Sequence, residues 1–222
     1  MSVIIVLVVL LFPSLALVRE TANRVVCGSN IRQIGFGLAM YADEQRGALP
    51  HTVFLGRGNG RAAPQEMVNL YVPKGSWTYE GAWDGLGLLF DKSFLPSPGV
   101  FYCPSHRFTM TYEMQQAEWK NPDDTEIVGN YQFRGEGKHH ERYLHEIDPG
   151  STAIVADAIR TRDEFNHGNG ANVLRADLSV LWFRDTVGQF AEILPDKTSH
   201  ADPESTSRAW RSLDQLFDGG AR

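Results

Sequence analysis

The chain has 222 residues, a net charge of -6 and no basic run, which argues against nonspecific nucleic-acid binding, since that draws on clustered positive charge. Once about forty residues are assigned to an N-terminal helix, the remainder suffices for one head with a modest core and excludes a second enzyme module.

The stretch Val3 to Val18 reads VIIVLVVLLFPSLALV and carries no charge until Arg19 and Glu20, so it needs lipid or a protein partner. It falls a little short of the roughly 20 apolar residues that span a bilayer core, which leaves a membrane helix, a signal peptide or a buried core helix. Ser14-Leu15-Ala16 has the form of a cleavage site, but Met1-Ser2 lacks the basic start of a signal peptide. From Arg19 to Arg46 there is no proline, and Cys27, Ile31, Ile34, Leu38 and Tyr41 recur every three or four residues, which puts them on one helical face. Pro13 predicts a kink, tolerated in a membrane helix. Gly35 and Gly37 weaken the helix while allowing another backbone to come close. The expectation is a transmembrane and stalk helix over residues 1–46, its first half in membrane and its second half packed on a head spanning 47–222.

Pro50 and His51 end that helix, and Gly47 to Gly60 reads as a surface loop. Trp83 to Phe90 predicts a short helix burying Leu86, Leu89 and Phe90, closed by Pro96 and Pro98. The segments Thr125 to Arg134 and Ser151 to Ile159 contain IVGNYQF and TAIVADAI, rich in β-branched or aromatic residues and therefore strand-like. Ala171 to Ala176 and Val180 to Phe183 read as two strands joined at Asp177-Leu178-Ser179. Ser199 to Ser207 is polar, and Arg208 to Phe217 predicts an amphipathic helix through Trp210, Leu213 and Phe217. One long helix, a mixed middle and then antiparallel strands predict an α+β arrangement with the helix across a sheet. A parallel doubly wound fold is disfavoured, because regular alternation of strand and helix is missing.

Four pieces, VCGSNIRQIG at Val26 to Gly35, YADEQRGALP at Tyr41 to Pro50, FYCPS at Phe101 to Ser105 and HGNGANVLRAD at His167 to Asp177, together with the apolar run before them, resemble type IV pilin-like proteins, the group that includes the pseudopilins of type II secretion. More narrowly, they are similar to a bacterial pilin-like family with a His, nine residues and then Asp-Gly near the carboxyl end. The resemblance implies a pilin-like head, a single-pass anchor in the bacterial inner membrane, and a head in the periplasm or outside the cell. Its partners would be other pilin-like subunits, the secretion or pilus assembly machinery and membrane lipid, with no nucleic acid. Family members begin with a short leader, a Gly-Phe processing site and a glutamate, none of which stands here; a start placed too far downstream is the expected reason, the alternative being that this copy has lost the assembly signals. Leu178 stands where the family has glycine, so the turn at Asp177-Leu178-Ser179 is expected to differ, glycine being suited to the positive backbone angle of a tight hairpin.

Cys27 and Cys103 are the only cysteines. A disulfide pinning the loop to the helix and a pair of buried thiols are both open, whereas a zinc site from these two alone is disfavoured, because close cysteine pairs are absent. His139, His140 and His145, with Asp157, His167 and Asp177, are the residue types that bind metals or move protons. His139-His140 sits in a charged, glycine-rich stretch expected to be a solvated loop. His167 and Asp177 are expected to hydrogen-bond backbone around the hairpin. The resemblance to pseudopilins, some of whose heads are stabilised by oxygen-rich loops near the carboxyl end, implies calcium as a possible cofactor; calcium takes several oxygen ligands, and Asp157, Asp163, Glu164, Asn166, Asn169 and Asp177 lie in the corresponding part of the chain without spelling an EF-hand. Nucleophile and phosphate-loop motifs are missing. The run Gly56 to Arg61, GRGNGR, follows a helix end rather than a strand, which makes it a poor dinucleotide fingerprint. Trp77, Tyr79, Trp83 and Trp119 are either a carbohydrate or peptide platform or core. The resulting expectation is a non-enzymatic, membrane-anchored pilin-like subunit. The alternative is a secreted or periplasmic metal-dependent enzyme or binding protein using His167, Asp177 and Asp157.

Overall fold

The computed structural model describes residues 2–56, 67–75, 81–107, 110–120, 122, 125–157, 159–197 and 203–218, with side chains of the first helix from residue 15 onward. Helix α1 runs from Ser2 to Glu44, and the short helices α2 (Val53–Gly56), α3 (Gly87–Asp91) and α4 (Tyr112–Gln115) come later in the chain. The apolar run Val3 to Val18 therefore lies mostly outside the described side chains; among the described residues no helix is long and apolar enough to cross a membrane. Cys27, Ile31, Ile34, Leu38 and Tyr41 are all buried, as their spacing predicts, and form one side of the main core. Gly35 lies against the Leu174 side chain and Gly37 against Leu95 and Leu89, so the two glycines let side chains of the head, rather than a second backbone, press onto the helix.

The fold is α+β, with the long helix packed on an antiparallel sheet. Strands β1 (Asn69–Val72), β2 (Ala82–Trp83) and β3 (Ile127–Val128) form a small sheet in the order β2-β1-β3. Strands β4 (Tyr131–Phe133), β5 (Ala153–Asp157), β6 (Gly170–Arg175) and β7 (Val180–Arg184) form a second sheet in sequence order. Among the described residues every strand pairing is antiparallel. The apolar segment IVGNYQF, which reads as one strand, is divided between the two sheets. Gly129 and Asn130 turn away to give their backbone N–H groups to the Val68 and Phe101 carbonyls.

Side chains alternate across a strand, and β6 uses both faces. Leu174 joins the core under α1, and the Asn172 amide donates to the Arg24 carbonyl of α1. Ala171 and Val173 point into a second core with Phe190, Leu194, Trp210 and Leu213, contributed by the region of helices α5 (Gln189–Ile193) and α6 (Pro203–Asp218). The four-stranded sheet is thus covered on both faces. Arg134, just after β4, pairs with Asp214 of α6 at 2.9 Å, and Asp214 also accepts the Ala153 N–H of β5.

Three local expectations are corrected. Trp83 to Phe90 is not one helix: Ala82–Trp83 pairs with β1 and only Gly87–Asp91 is helical, as α3, because Leu70 of β1 accepts the Asp84 N–H and draws the chain into the sheet. The final helix begins at Pro203 rather than Arg208, with Ser205 and Thr206 buried. The turn after β6 keeps a positive backbone angle despite Leu178, whose φ is 65°; Asp177 Oδ1 accepts both the Ser179 N–H and its hydroxyl, and the Leu178 N–H bonds the Arg175 carbonyl. Those bonds hold a leucine in a conformation that costs an L-residue about 1–2 kcal/mol. Leu178→Gly is therefore expected to raise stability by about 0.5–1 kcal/mol, the relief being partly offset by the greater freedom of glycine when unfolded, read from the urea midpoint.

Candidate functional site

Four elements distant in sequence bring their donor atoms together beneath α1. Cys27 sits on the buried face of that helix. Cys103 follows a 3-10 turn at Pro98–Phe101 and is anchored by its backbone N–H to the Asn130 side chain at 3.2 Å. Asn30 of α1 holds the same loop through the Tyr102 carbonyl. Asp157 ends β5, opposite Tyr131 of β4, and His167 lies in the loop that leads into β6. All four residues are buried, and one ligand-type atom from each falls within 4.8 Å of the others.

The contacts converge on one carboxylate oxygen. Asp157 Oδ2 lies 3.0 Å from Cys27 Sγ, 2.8 Å from His167 Nε2 and 3.9 Å from Cys103 Sγ, while Cys103 Sγ is 3.6 Å from His167 Nε2. The outward atoms are tied back. Asn166 donates to Asp157 Oδ1 at 2.9 Å, and Glu20 of α1 holds His167 Nδ1. Glu20 is itself held by the Ser105 hydroxyl at 2.8 Å. Trp182 of β7 presents its ring to His167 at 74° and carries the Arg24 guanidinium 4.6 Å above it. A cleft lined by Glu20, Ser105, Asn166 and His167 opens beside the cluster.

Burial pushes the Cys27 thiol well above its ordinary range and raises that of Cys103. For His167, burial opposes the charged ring, but the hydrogen bond to Asp157 and the neighbouring Cys27 outweigh it and move its pKa up to about 11. The arrangement is poor for nucleophilic catalysis, which requires an accessible thiol of lowered pKa. It is a compact set of two sulfurs, an imidazole and a carboxylate.

Sequence reasoning reached Asp157 and His167 as metal-type residues and named Cys27 and Cys103 as a pair, without joining the two groups. Both cysteines are buried free thiols. Asp177 is not in the cluster: it bonds Arg175 and Ser179 at the hairpin. His167 does not bond backbone there through its ring but faces Asp157 and Glu20. Of the remaining candidates, His140 pairs with Glu136, and His145 packs on Tyr143. Glu164 pairs with Arg160, and Asn166 bonds Asp157 and His106. Trp119 is buried against Trp83, Phe90 and Phe101, so these aromatics are core; Trp77, Tyr79 and the GRGNGR run beyond Gly56 lie outside the described residues. Glu20 was overlooked, because nothing in the sequence marks one charged helix residue as facing a loop 147 positions away.

Comparison with family models, curated proteins and solved structures finds no match. Asn166→Ala removes a hydrogen bond to a buried carboxylate and is expected to cost about 1.5–3 kcal/mol, measured by urea unfolding in the presence of a chelator; an effect below about 0.5 kcal/mol contradicts the role given to Asn166.

Proposed function

We propose that the protein is a membrane-anchored, pilin-like structural subunit of a bacterial secretion or filament apparatus, non-enzymatic, with its head on the periplasmic or outer side. The observation that carries this reading is the distribution of apolar side chains around α1. Leu15, Leu17 and Val18 are 61%, 72% and 66% exposed, so the head leaves this part of the helix uncovered. Burying each such side chain is worth about 1.5–3 kcal/mol, a strong drive toward lipid or neighbouring helices.

A second feature supports assembly through the helix. Val18, Val25, Phe36 and Met40 are all exposed, and at about 100° per residue they fall within about 60° of one another. That sector lies opposite the stripe formed by Cys27, Ile31, Ile34, Leu38 and Tyr41. One apolar face of α1 packs on its own head, and the other is free for a neighbouring subunit. The apolar sequence Val3 to Val18 supplies the anchor in this reading, and the resemblance to pseudopilins supplies the kind of assembly.

The full chain expressed in a bacterial host is expected to stay in the membrane fraction through alkaline carbonate washing. Phe36→Cys and Met40→Cys should each give cross-linked dimers with a bifunctional maleimide, the native thiols being buried, whereas Gln215→Cys on α6 should remain monomeric. Release by carbonate, with monomers only at positions 36 and 40, would overturn the proposal.

A further inference from the structure

We infer that Cys27, Cys103, Asp157 and His167 form a four-coordinate site for a divalent transition metal of the zinc type, which clamps α1 to the head. The inference is independent of the pilin-like reading, since it concerns only groups within the head and the helix segment buried in it.

The donor set selects the class of ion. Thiolate and imidazole favour zinc and its neighbours over calcium or magnesium, which take oxygen ligands. Zinc bonds of about 2.0–2.3 Å arranged as a tetrahedron place ligand atoms about 3.3–3.8 Å apart. The separation between Cys103 Sγ and His167 Nε2 is 3.6 Å, and that between Cys103 Sγ and Asp157 Oδ2 is 3.9 Å. The contacts of Asp157 Oδ2 with Cys27 Sγ and His167 Nε2, 3.0 and 2.8 Å, are shorter because protons bridge them. Exchange of those protons for a cation opens them by several tenths of an ångström. On binding, the two thiol protons and the Nε2 proton of a charged imidazole leave to solvent, and no other bond changes.

The outer groups are placed as a metal site requires. Metal-ligating histidines donate their second ring N–H to a carboxylate or carbonyl, which fixes the ring and strengthens the ligand; Glu20 occupies that position on Nδ1. Asn166 holds the other oxygen of Asp157 and leaves Oδ2 facing the cluster. Glu20 and Asn166 thus direct one lone pair each of His167 and Asp157 to the point that the two sulfurs also face.

The site is structural rather than catalytic. All four positions are filled by buried protein donors, leaving none open for water or substrate, as in closed zinc sites. The ligands come from the helix, the loop after the 3-10 turn, the end of β5 and the loop before β6. A single ion therefore crosslinks α1 to three parts of the head, at the point where the helix leaves it for its uncovered segment. Glu20 acts as a positioning residue through His167.

The test uses the full chain, solubilised in detergent, with thiols trapped at lysis. Stoichiometric zinc is expected by elemental analysis. After chelation, Co2+ should produce the intense visible bands of a tetrahedral ion together with a thiolate charge-transfer band, both displaced by Zn2+ and not by Ca2+ or Mg2+. Asp177→Asn should leave the spectrum unchanged, His167→Ala should abolish it, and His167→Cys should restore tetrahedral binding with a stronger thiolate band. Glu20→Gln should retain the spectrum but weaken zinc about 10–100-fold. A Cys27–Cys103 disulfide in the trapped protein, or reduced thiols that give no tetrahedral Co2+ spectrum in the unmutated chain, would overturn the inference.

Discussion

The burial of one face of α1 against β6 is the constraint on which the rest of the structure depends. Leu174 and Asn172 of β6 meet the helix at Gly35 and Gly28, where an added Cβ would press on the tips of those two side chains. That contact sets the height at which Cys27 stands above the end of β5, and so whether its sulfur reaches Asp157. The same strand turns Ala171 and Val173 to the opposite core, which makes the sheet the common wall of both hydrophobic clusters. Moving the helix by one residue would rotate the stripe from Cys27 to Tyr41 off the head by about 100°.

Polar groups beneath the helix are placed with equal economy. Four buried side chains with ionisable or soft donor atoms would be costly alone, yet each meets another of the four or a neutral partner. Asn30, Asn130 and Asn172 fasten backbone on either side of them. An ion in their midst would turn a network of shared protons into a set of fixed bonds. For a subunit held in an assembly through its helix, such a clamp would resist the separation of helix from head.

The described part of α1 carries two apolar faces. One is satisfied within the chain, the other is not. The proposed function rests on this asymmetry: the head leaves Leu15, Leu17 and Val18, and the stripe through Val25, Phe36 and Met40, exposed. The hairpin of β6 and β7, by contrast, is a self-contained device in which Asp177 organises the turn and takes no part in the cluster, although it stands in the same sequence motif as His167.

Local patterns were legible without coordinates. The period of the stripe identified α1 and the residues that it buries, richness in β-branched or aromatic residues located β5, and the break at Asp177-Leu178-Ser179 separated β6 from β7, because these signals come from residues close together in the chain. Strand β1 and the division of IVGNYQF were not legible: short pairings depend on which distant carbonyl accepts a given N–H. Asp157 and His167 could be named from residue type, and the cysteines from their rarity. That they share one site with each other, with Glu20 behind them and Asp177 excluded, was decided only by tertiary structure, because the helix, two loops and a strand end must first be packed before their donor atoms face one point.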